Sequence, residues 1–541
     1  IYSSTISADN SERVAFTIEA LDDSEIPQAS SFPETPLFGS PPRECVIQFG
    51  QEMKPGILAS YIFWITEANI TQWLTIPGEK YSNEPHDMTF VYGSYRVIYN
   101  AGGRWRGLFR YNGNPVNSGA YAIQLPERFL GRDEFRIDQP GQGGSDASRS
   151  IENYSHWLTR ELDVPAGQMR FVHIYVNANY RGTHHDLQTP NTDFCKSWFN
   201  DNEPQVFKQV GITPGGSGGD PYWVYKDRVG QYSSGRYRWF WRKRRQEPPN
   251  DDFTTIIRTA KNLASFPTDN VHRKRIEAIV DIRNWASYFT ICSSIQDGDH
   301  YGFNNGHNLY AYSPYHKPSS LVIYDMDDAF GYYIGIFPHS TFPIPNRMFN
   351  GFKTFGRVSY ALAKELVNGP MNVERSHWFI DSWHSALLAN GASDNNGALI
   401  TPGSGRGYVT VTTPRIEELL ESVDSAFDIT SNDFSSAKHI ITLSGVTPVE
   451  VSAIRINGIL NDVWFEDIND WEVEVGLPEG ENILDIEGLD WRGNVVTSDT
   501  ITVTITAPPL SPIDQLVISE IMYHPKEQAG EYIEVYNASP H

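Results

Sequence analysis

Three short segments of this 541-residue chain carry the groups best suited to chemistry: Asp297-Gly-Asp299, Gly306-His-Asn308-Leu-Tyr310, and Tyr324-Asp-Met-Asp-Asp-Ala-Phe-Gly331. Acidic groups fall at a helix end and at a strand end, and a short β excursion between them can bring the two ends together. Hard oxygen ligands converging in this way suit Mg²⁺ or Mn²⁺, which bind through a few carboxylates together with water and phosphate oxygens. A divalent ion beside a further carboxylate is what phosphoryl transfer requires. The ion offsets charge on the β- and γ-phosphates while the carboxylate orients the attacking hydroxyl. On residue types alone, a calcium or turn site, or solvated carboxylates at loop ends, accounts for the same pattern equally well.

Other segments point to chemistry less well. Pro214-Gly-Gly-Ser-Gly-Gly219 lacks the G-K-[ST] of a phosphate-cradling loop, and the glycines around Ser217 do not make G-x-S-x-G, so a flexible loop is expected. His184-His185-Asp186 offers metal-ligand types, but neighbours on a strand point to opposite faces, and a surface turn is expected. The run Arg236 to Arg245 interleaves cations with aromatics. In a chain of this charge it reads as a strand laced by cation–π contacts and facing an acidic surface of its own domain. Trp64, Trp73 and Trp105 read as core rather than sugar platforms.

The elements that must position the acidic segments follow from periodicity. Arg13 to Glu19 is strand-like and is followed by an extended Pro/Ser-rich linker over 27–42. From Cys45 to Asn200, strands dominate: Tyr61 to Ile65, Thr89 to Tyr92, Tyr95 to Tyr99, Ala120 to Leu125 and Met169 to Val176, interrupted by a helix from about Ser148 to Leu162. Helical periods follow over 252–263 and 276–291, and return near Ser359 to Val367 and Arg415 to Val423. Strands before helices in one long segment predict an α+β domain. Residues 439–507 are short strands with turns at Asn457-Gly458, Glu479-Gly480 and Arg492-Gly493-Asn494, which predicts a small all-β sandwich of Ig-like type.

Net charge is −23, from 43 Lys+Arg against 66 Asp+Glu, which disfavours nucleic acid and anionic lipid as partners. The three cysteines, Cys45, Cys195 and Cys292, lack metal-ligand spacing, so neither a disulfide scaffold nor a structural zinc site is expected, and the odd count permits at most one bridge. No apolar run is long enough to span a bilayer. The chain opens at Ile1 and ends at His541 within a strand pattern, and a fragment of a longer precursor is expected.

The order Tyr175-Val-Asn-Ala-Asn-Tyr-Arg-Gly182, Asp281-Ile-Arg-Asn-Trp285, Asp299 with His307-Asn308-Leu-Tyr310, and Tyr324-Asp325-Met-Asp327 with Phe330-Gly331 resembles the successive motifs of CotH (spore coat protein H) kinases, over roughly residues 50–435. The resemblance implies an atypical protein-kinase-like domain with a β-rich N-terminal half and a helical C-terminal half. It implies transfer of phosphate from ATP to protein Ser/Thr with Mg²⁺ or Mn²⁺. Asp299 falls at the catalytic aspartate, with Asp297 competing for that role. Asp325 falls at the metal-binding aspartate, with Asp327 and Asn308 beside it. The family's usual Trp is Tyr324 here. Where many members carry a lysine, this chain has Ser118-Gly119, and where they carry a glutamate it has Asp186 or Gln188. Either Arg104, Arg106 or Arg128 rebuilds the ATP site, or the module is a pseudokinase acting as a structural or adhesive protein. The run Leu516 to Pro525 with Glu531 to Asn537 resembles the opening of lamin-tail domains. The expected organisation is an N-terminal β segment and linker (1–44), the CotH-like domain (45–437), the sandwich (438–507), and a linker with the start of a lamin-tail-like domain (508–541). The setting is secreted or cell-surface, with a protein substrate or structural protein partner.

Overall fold

The computed structural model describes residues 4–10, 12–34, 43–75, 85–106, 120–140, 146, 148–202, 204–209, 223, 227–228, 231–232, 237, 240–244, 252–264, 269–301, 308–330, 343–393, 403–423, 425–508, 513, 516–523 and 532–538. The chain divides into two compact units, residues 1–355 with 362–420, and residues 356–361 with 421–541.

The first unit is built on a closed barrel. Its strands run in the order Met169–Val176, Asn179–Leu187, Arg132–Asp138, Ala120–Phe129, Arg96–Arg106, His86–Tyr92 and Ala59–Trp64. Parallel pairing of Met169–Val176 with Ala59–Trp64 closes the ring, for example Ile174 opposite Tyr61. Alternate side chains fill the interior with Tyr61, Phe63, Phe90, Trp105, Tyr121 and Phe135, all fully buried, so the barrel is a packed core and not a channel. Trp64, Trp73 and Trp105 are buried, as their neighbours in sequence predict.

The closing hairpin explains the Tyr175-to-Gly182 motif. Asn177 and Ala178 both have positive φ, 48° and 65°, the left-handed pair that a tight two-residue hairpin demands. The Asn177 side chain then accepts from Ile65 N at 2.7 Å and donates to Ile65 O at 2.9 Å, mimicking a peptide and pinning the barrel seam.

Beside the barrel lies a four-stranded sheet in the order Trp241–Lys243, Val206–Gln209, Leu309–Tyr312, Ser320–Ile323. Helices Thr254–Leu263, Asn270–Glu277 and Ile282–Ser294 precede its last two strands, and Val373–Ala389 and Gly403–Glu421 come later in the chain. The Asp281-to-Trp285 motif docks the middle of this array. Asp281 caps the Ile282–Ser294 helix by accepting from Asn284 N at 3.0 Å. Asn284 pairs with both backbone groups of Leu321, at 2.6 and 3.0 Å, and Trp285 Nε1 donates to Ser319 O at 3.0 Å. Helix and strand are thereby locked in register.

Two expectations are corrected. Ala29–Phe32, inside the expected linker, pairs as a hairpin with Ile18–Leu21. His184-His185-Asp186 is no surface turn: all three are buried on the Asn179–Leu187 strand. The period of two holds there. Asp186 meets Tyr61 Oη at 2.6 Å, while His185 faces the Ile151–Glu161 helix. Residues 214–219 lie outside the described residues.

The second unit contains a four-stranded sheet and a five-stranded sheet that share one apolar cluster, including Ile441, Leu443, Trp471, Val473, Ile454, Ile486 and Val503. Its strands begin at Asp428. Asn457-Gly458 adopts positive φ, 47° and 80°, as the hairpin turn read from the sequence requires. A separate hairpin pairs Leu516–Met522 with Tyr532–Asn537.

Candidate phosphoryl-transfer site

The Leu309–Tyr312 and Ser320–Ile323 strands pair antiparallel, with Leu309 opposite Ile323, so Asn308 and Tyr324-Asp325 emerge at the same end of the hairpin. The Ile282–Ser294 helix delivers Asp297 and Asp299 to that end. One side chain ties the two together: Asn308 Nδ2 donates to Asp299 O at 3.1 Å and to Asp325 O at 3.0 Å, and approaches Asp299 Oδ2 at 3.5 Å. Asn308 and Asp325 sit in the left-handed region, φ 57° and 63°, which short polar side chains tolerate best. Phe330 also sits there, at 61°, an unusual place for a bulky residue; its N–H bonds Ile295 O at 2.6 Å.

The carboxylates crowd one another. Burial, then Asp138, push Asp325 up to about 6, while Arg106 and Lys208 partly oppose the rise. Asp327 and Asp297 are raised well above the usual range, chiefly by burial and then by neighbouring carboxylates that include Asp325. Glu152, on the Ile151–Glu161 helix, is likewise raised by burial and by Asp325 and Asp138. Glu152 Oε2 bonds His185 Nδ1 at 3.0 Å, and burial holds that imidazole down at about 4. Asp146 fixes this helix start: its carboxylate accepts from Ile151 N at 3.0 Å and from Ser148 N at 2.8 Å.

A basic cluster adjoins the acidic groups. Arg106 pairs with Asp138 and donates to Tyr324 Oη at 3.3 Å. Burial opposes its charge, but Asp138, Tyr324 and Asp325 raise it above its ordinary value and keep it cationic. Arg136 is pushed down to about 9 by burial and by the proximity of Arg106, Arg244 and Arg104. Lys208 Nζ lies 5.4 Å from the Tyr310 ring and 5.7 Å from the Tyr324 ring. Arg104 and Arg136 line a cavity of about 60 Å³ with Gln124 and Glu134.

Asp299, Asn308, Asp325 and Asp327, all expected from the sequence, therefore come together, and Arg106 joins them. Arg104 belongs to the same basic cluster, one step further out. Arg128 does not join; it pairs with Asp193 at 2.8 Å. Asp186 is held by Arg132 and Arg170, outside the acidic cluster. Ser118-Gly119, His307 and Gly331 lie outside the described residues. Sequence reasoning missed Asp138, Arg136, Glu152 and Lys208. A signal existed for the first two: in Arg132–Asp138, Phe135 and Ile137 are buried while the charged side chains alternate with them. Of the basic run, Lys243 sits 5.7 Å from the Phe207 ring and Arg244 pairs with Glu134 at 3.7 Å, both contacts within its own unit.

The donor set at Asp299, Asp325 and Asp327 is oxygen only, and its mutual repulsion is of the kind a hard divalent cation relieves, so these residues fit Mg²⁺ or Mn²⁺. Among the described residues, no helix is long and apolar enough to cross a membrane.

No curated protein matches the chain. Among solved structures it is similar to one titled "Structures of Clostridium thermocellum CbhA fibronectin(III)-like modules", at 12% identity and a TM-score of 0.13, covering 15% of this chain and 99% of that one. Residues 122–387, which include Asp299, Asn308, Asp325 and Asp327, match the model of the CotH kinase protein family.

Proposed function

We propose that this chain carries a CotH-like kinase module that transfers phosphate from ATP to a protein Ser or Thr. The observation that carries this reading is the Asn308 amide, which holds Asp299 and Asp325 on one support. Asp299 accepts the proton of the attacking hydroxyl and orients it. Asp325 and Asp327 hold Mg²⁺ or Mn²⁺, which supplies charge neutralisation at the phosphates when bound. Arg106, Lys208, Arg136 and Arg104 provide the positive charge that a lysine supplies in many members of that family. Glu152, buried and bonded to His185, acts electrostatically on Asp327. Appended β modules and a C-terminal hairpin resembling a lamin-tail start fit a protein that works outside the cell or at its surface.

The test is a thermal-shift titration of the purified chain with ATP plus Mg²⁺ or Mn²⁺, alongside transfer of labelled γ-phosphate to Ser/Thr protein substrates. Ligand at ~100 times its dissociation constant stabilises by roughly 2.7 kcal/mol. The shift and the transfer are expected in the parent and absent in Asp325→Asn. A parent that shows neither, at millimolar nucleotide, refutes the proposal.

A further inference from the structure

Behind Asp299 the chain brings together a second set of ligand atoms of a different chemical kind. Cys292 lies in the last turn of the Ile282–Ser294 helix. Gln296, at φ 53°, turns the chain back on itself, and Asp297 N bonds Cys292 O at 3.0 Å. The return lays Asp297 and His300 against Cys292. One ligand atom from each of the three lies within 4.8 Å of the others, and none of the residues is more than 2% exposed.

Three features separate this cluster from an ordinary polar pocket. First, the His300 ring donates from Nδ1 to the Asp297 carbonyl, which fixes the ring against the loop that carries Asp297. An imidazole anchored to a carbonyl through one ring nitrogen is the arrangement that metal-bound histidines use. Second, the charges that act on the Asp297 carboxylate are those of other acids, Asp299, Asp328 and Asp325, and no salt bridge joins it to a cation among the described residues. A buried carboxylate in such company is costly unless a cation joins it. Third, the donors are one sulfur, one nitrogen and one oxygen. Mg²⁺ and Mn²⁺ favour all-oxygen sites, whereas zinc accepts this mixture in a four-coordinate site with one position left open.

We propose that Cys292, Asp297 and His300 form a zinc-class transition-metal site, distinct from the oxygen-only site at Asp325 and Asp327. Binding displaces the Cys292 thiol proton to solvent and leaves a thiolate–metal bond. The site is also a latch. Asp297 Oδ1 accepts from Asp299 N at 3.1 Å, so a metal that fixes Asp297 fixes the loop carrying Asp299. The latch role rests on the kinase reading of Asp299; the binding does not.

The experiment uses the full chain, stripped of metal and titrated with Co²⁺ in excess Mg²⁺. One equivalent of Co²⁺ is expected to give a near-ultraviolet thiolate-to-cobalt charge-transfer band and visible bands of four-coordinate cobalt, both displaced by Zn²⁺. Cys292→Ser, the conservative variant, abolishes the charge-transfer band while retaining the parent circular dichroism. His300→Gln weakens Co²⁺ binding about tenfold or more. Asp325→Asn keeps the cobalt spectrum although it loses the nucleotide shift, which separates this proposal from the kinase reading. The proposal is overturned by the absence of a thiolate band in the parent. It is equally overturned by an unchanged band in Cys292→Ser, or by loss of the cobalt spectrum in Asp325→Asn.

Discussion

Asn308 is the point at which one substitution separates geometry from charge. Its amide makes two hydrogen bonds near 3 Å to the Asp299 and Asp325 carbonyls, and the residue is 9% exposed with φ 57°. Replacing it with Ala removes both bonds, about 1 kcal/mol each, and places a Cβ residue without a compensating polar side chain in the left-handed region, about 1 kcal/mol more. Asn308→Gly loses the bonds but not the backbone preference. Local opening around residues 297–299 and 325–327 therefore becomes easier by about 3 kcal/mol in Asn308→Ala and about 2 kcal/mol in Asn308→Gly. At 1.36 kcal/mol per decade these correspond to about 150-fold and about 30-fold faster amide exchange. Hydrogen exchange read by mass spectrometry on peptides spanning these loops checks this, with peptides from the barrel strands unchanged. Exchange in Asn308→Ala within about 3-fold of the parent, or slower than in Asn308→Gly by any margin, refutes the view that this amide clamps the site.

Further predictions concern other parts of the chain. Asn284→Ala leaves the buried N–H and C=O of Leu321 without their side-chain partner and is expected to cost about 2–4 kcal/mol by denaturant unfolding. Gly445→Ala places a Cβ 2.4 Å from Asp428 O and 2.7 Å from the Trp471 ring, so about 2 kcal/mol of stability in the second unit is lost, seen as a lowered melting transition. Burial, with Arg160 and His185 nearby, holds the His156 imidazole down at about 3. The unfolded chain protonates this group below about 6.5 and the folded chain does not. Its contribution is therefore complete above that pH and declines as pH falls toward 3, and His156→Phe is expected to flatten the fall of Tm between pH 6.5 and 4.5. A variant as acid-sensitive as the parent counts against this assignment.

The acidic half of the site was legible because its residues cluster in sequence at the ends of regular elements. Asp299, Asn308, Asp325 and Asp327 fall within 29 positions, and the helix and hairpin carrying them have clear periods. The basic half was only partly legible, for a physical reason. Arg106, Arg136 and Lys208 lie on three different strands, none paired directly with another and one in a separate sheet, so only the tertiary fold brings their charges to bear on one another and on Asp325. The Val373–Ala389 helix went unread because Trp378, Phe379 and Trp383 do not mark a single apolar stripe, and Trp378 is largely exposed. The histidine pair was placed at the surface because buried imidazoles need partners that sequence does not show. His185 finds them in Glu152 and the Arg149 carbonyl.

The division between acidic and basic groups follows from how the two halves of the first unit are built. The basic groups come from β-structure, where a period of two lets Arg104 and Arg106 share a face of one strand and sets charged residues between Phe135 and Ile137 on another. Asp297, Asp299, Asp325 and Asp327 come from the places where elements stop, after the Ile282–Ser294 helix and beyond the Leu309–Ile323 hairpin, where the backbone is no longer committed to a ladder and can enter the left-handed region. Such ends need something to hold them. Asparagine serves because its amide carries both a donor and an acceptor and can stand in for a missing peptide partner. The motif asparagines do this at three points: Asn177 at the barrel seam, Asn284 between helix and strand, and Asn308 between the two acidic loops. The first two bring the elements into register, and the third uses that register to set Asp299 against Asp325. Aspartate has the acceptors without the donors, and glutamine places the amide one carbon further out. Neither can make the same pair of bonds at these positions, so the placing of Asp299 against Asp325 requires asparagine at 308.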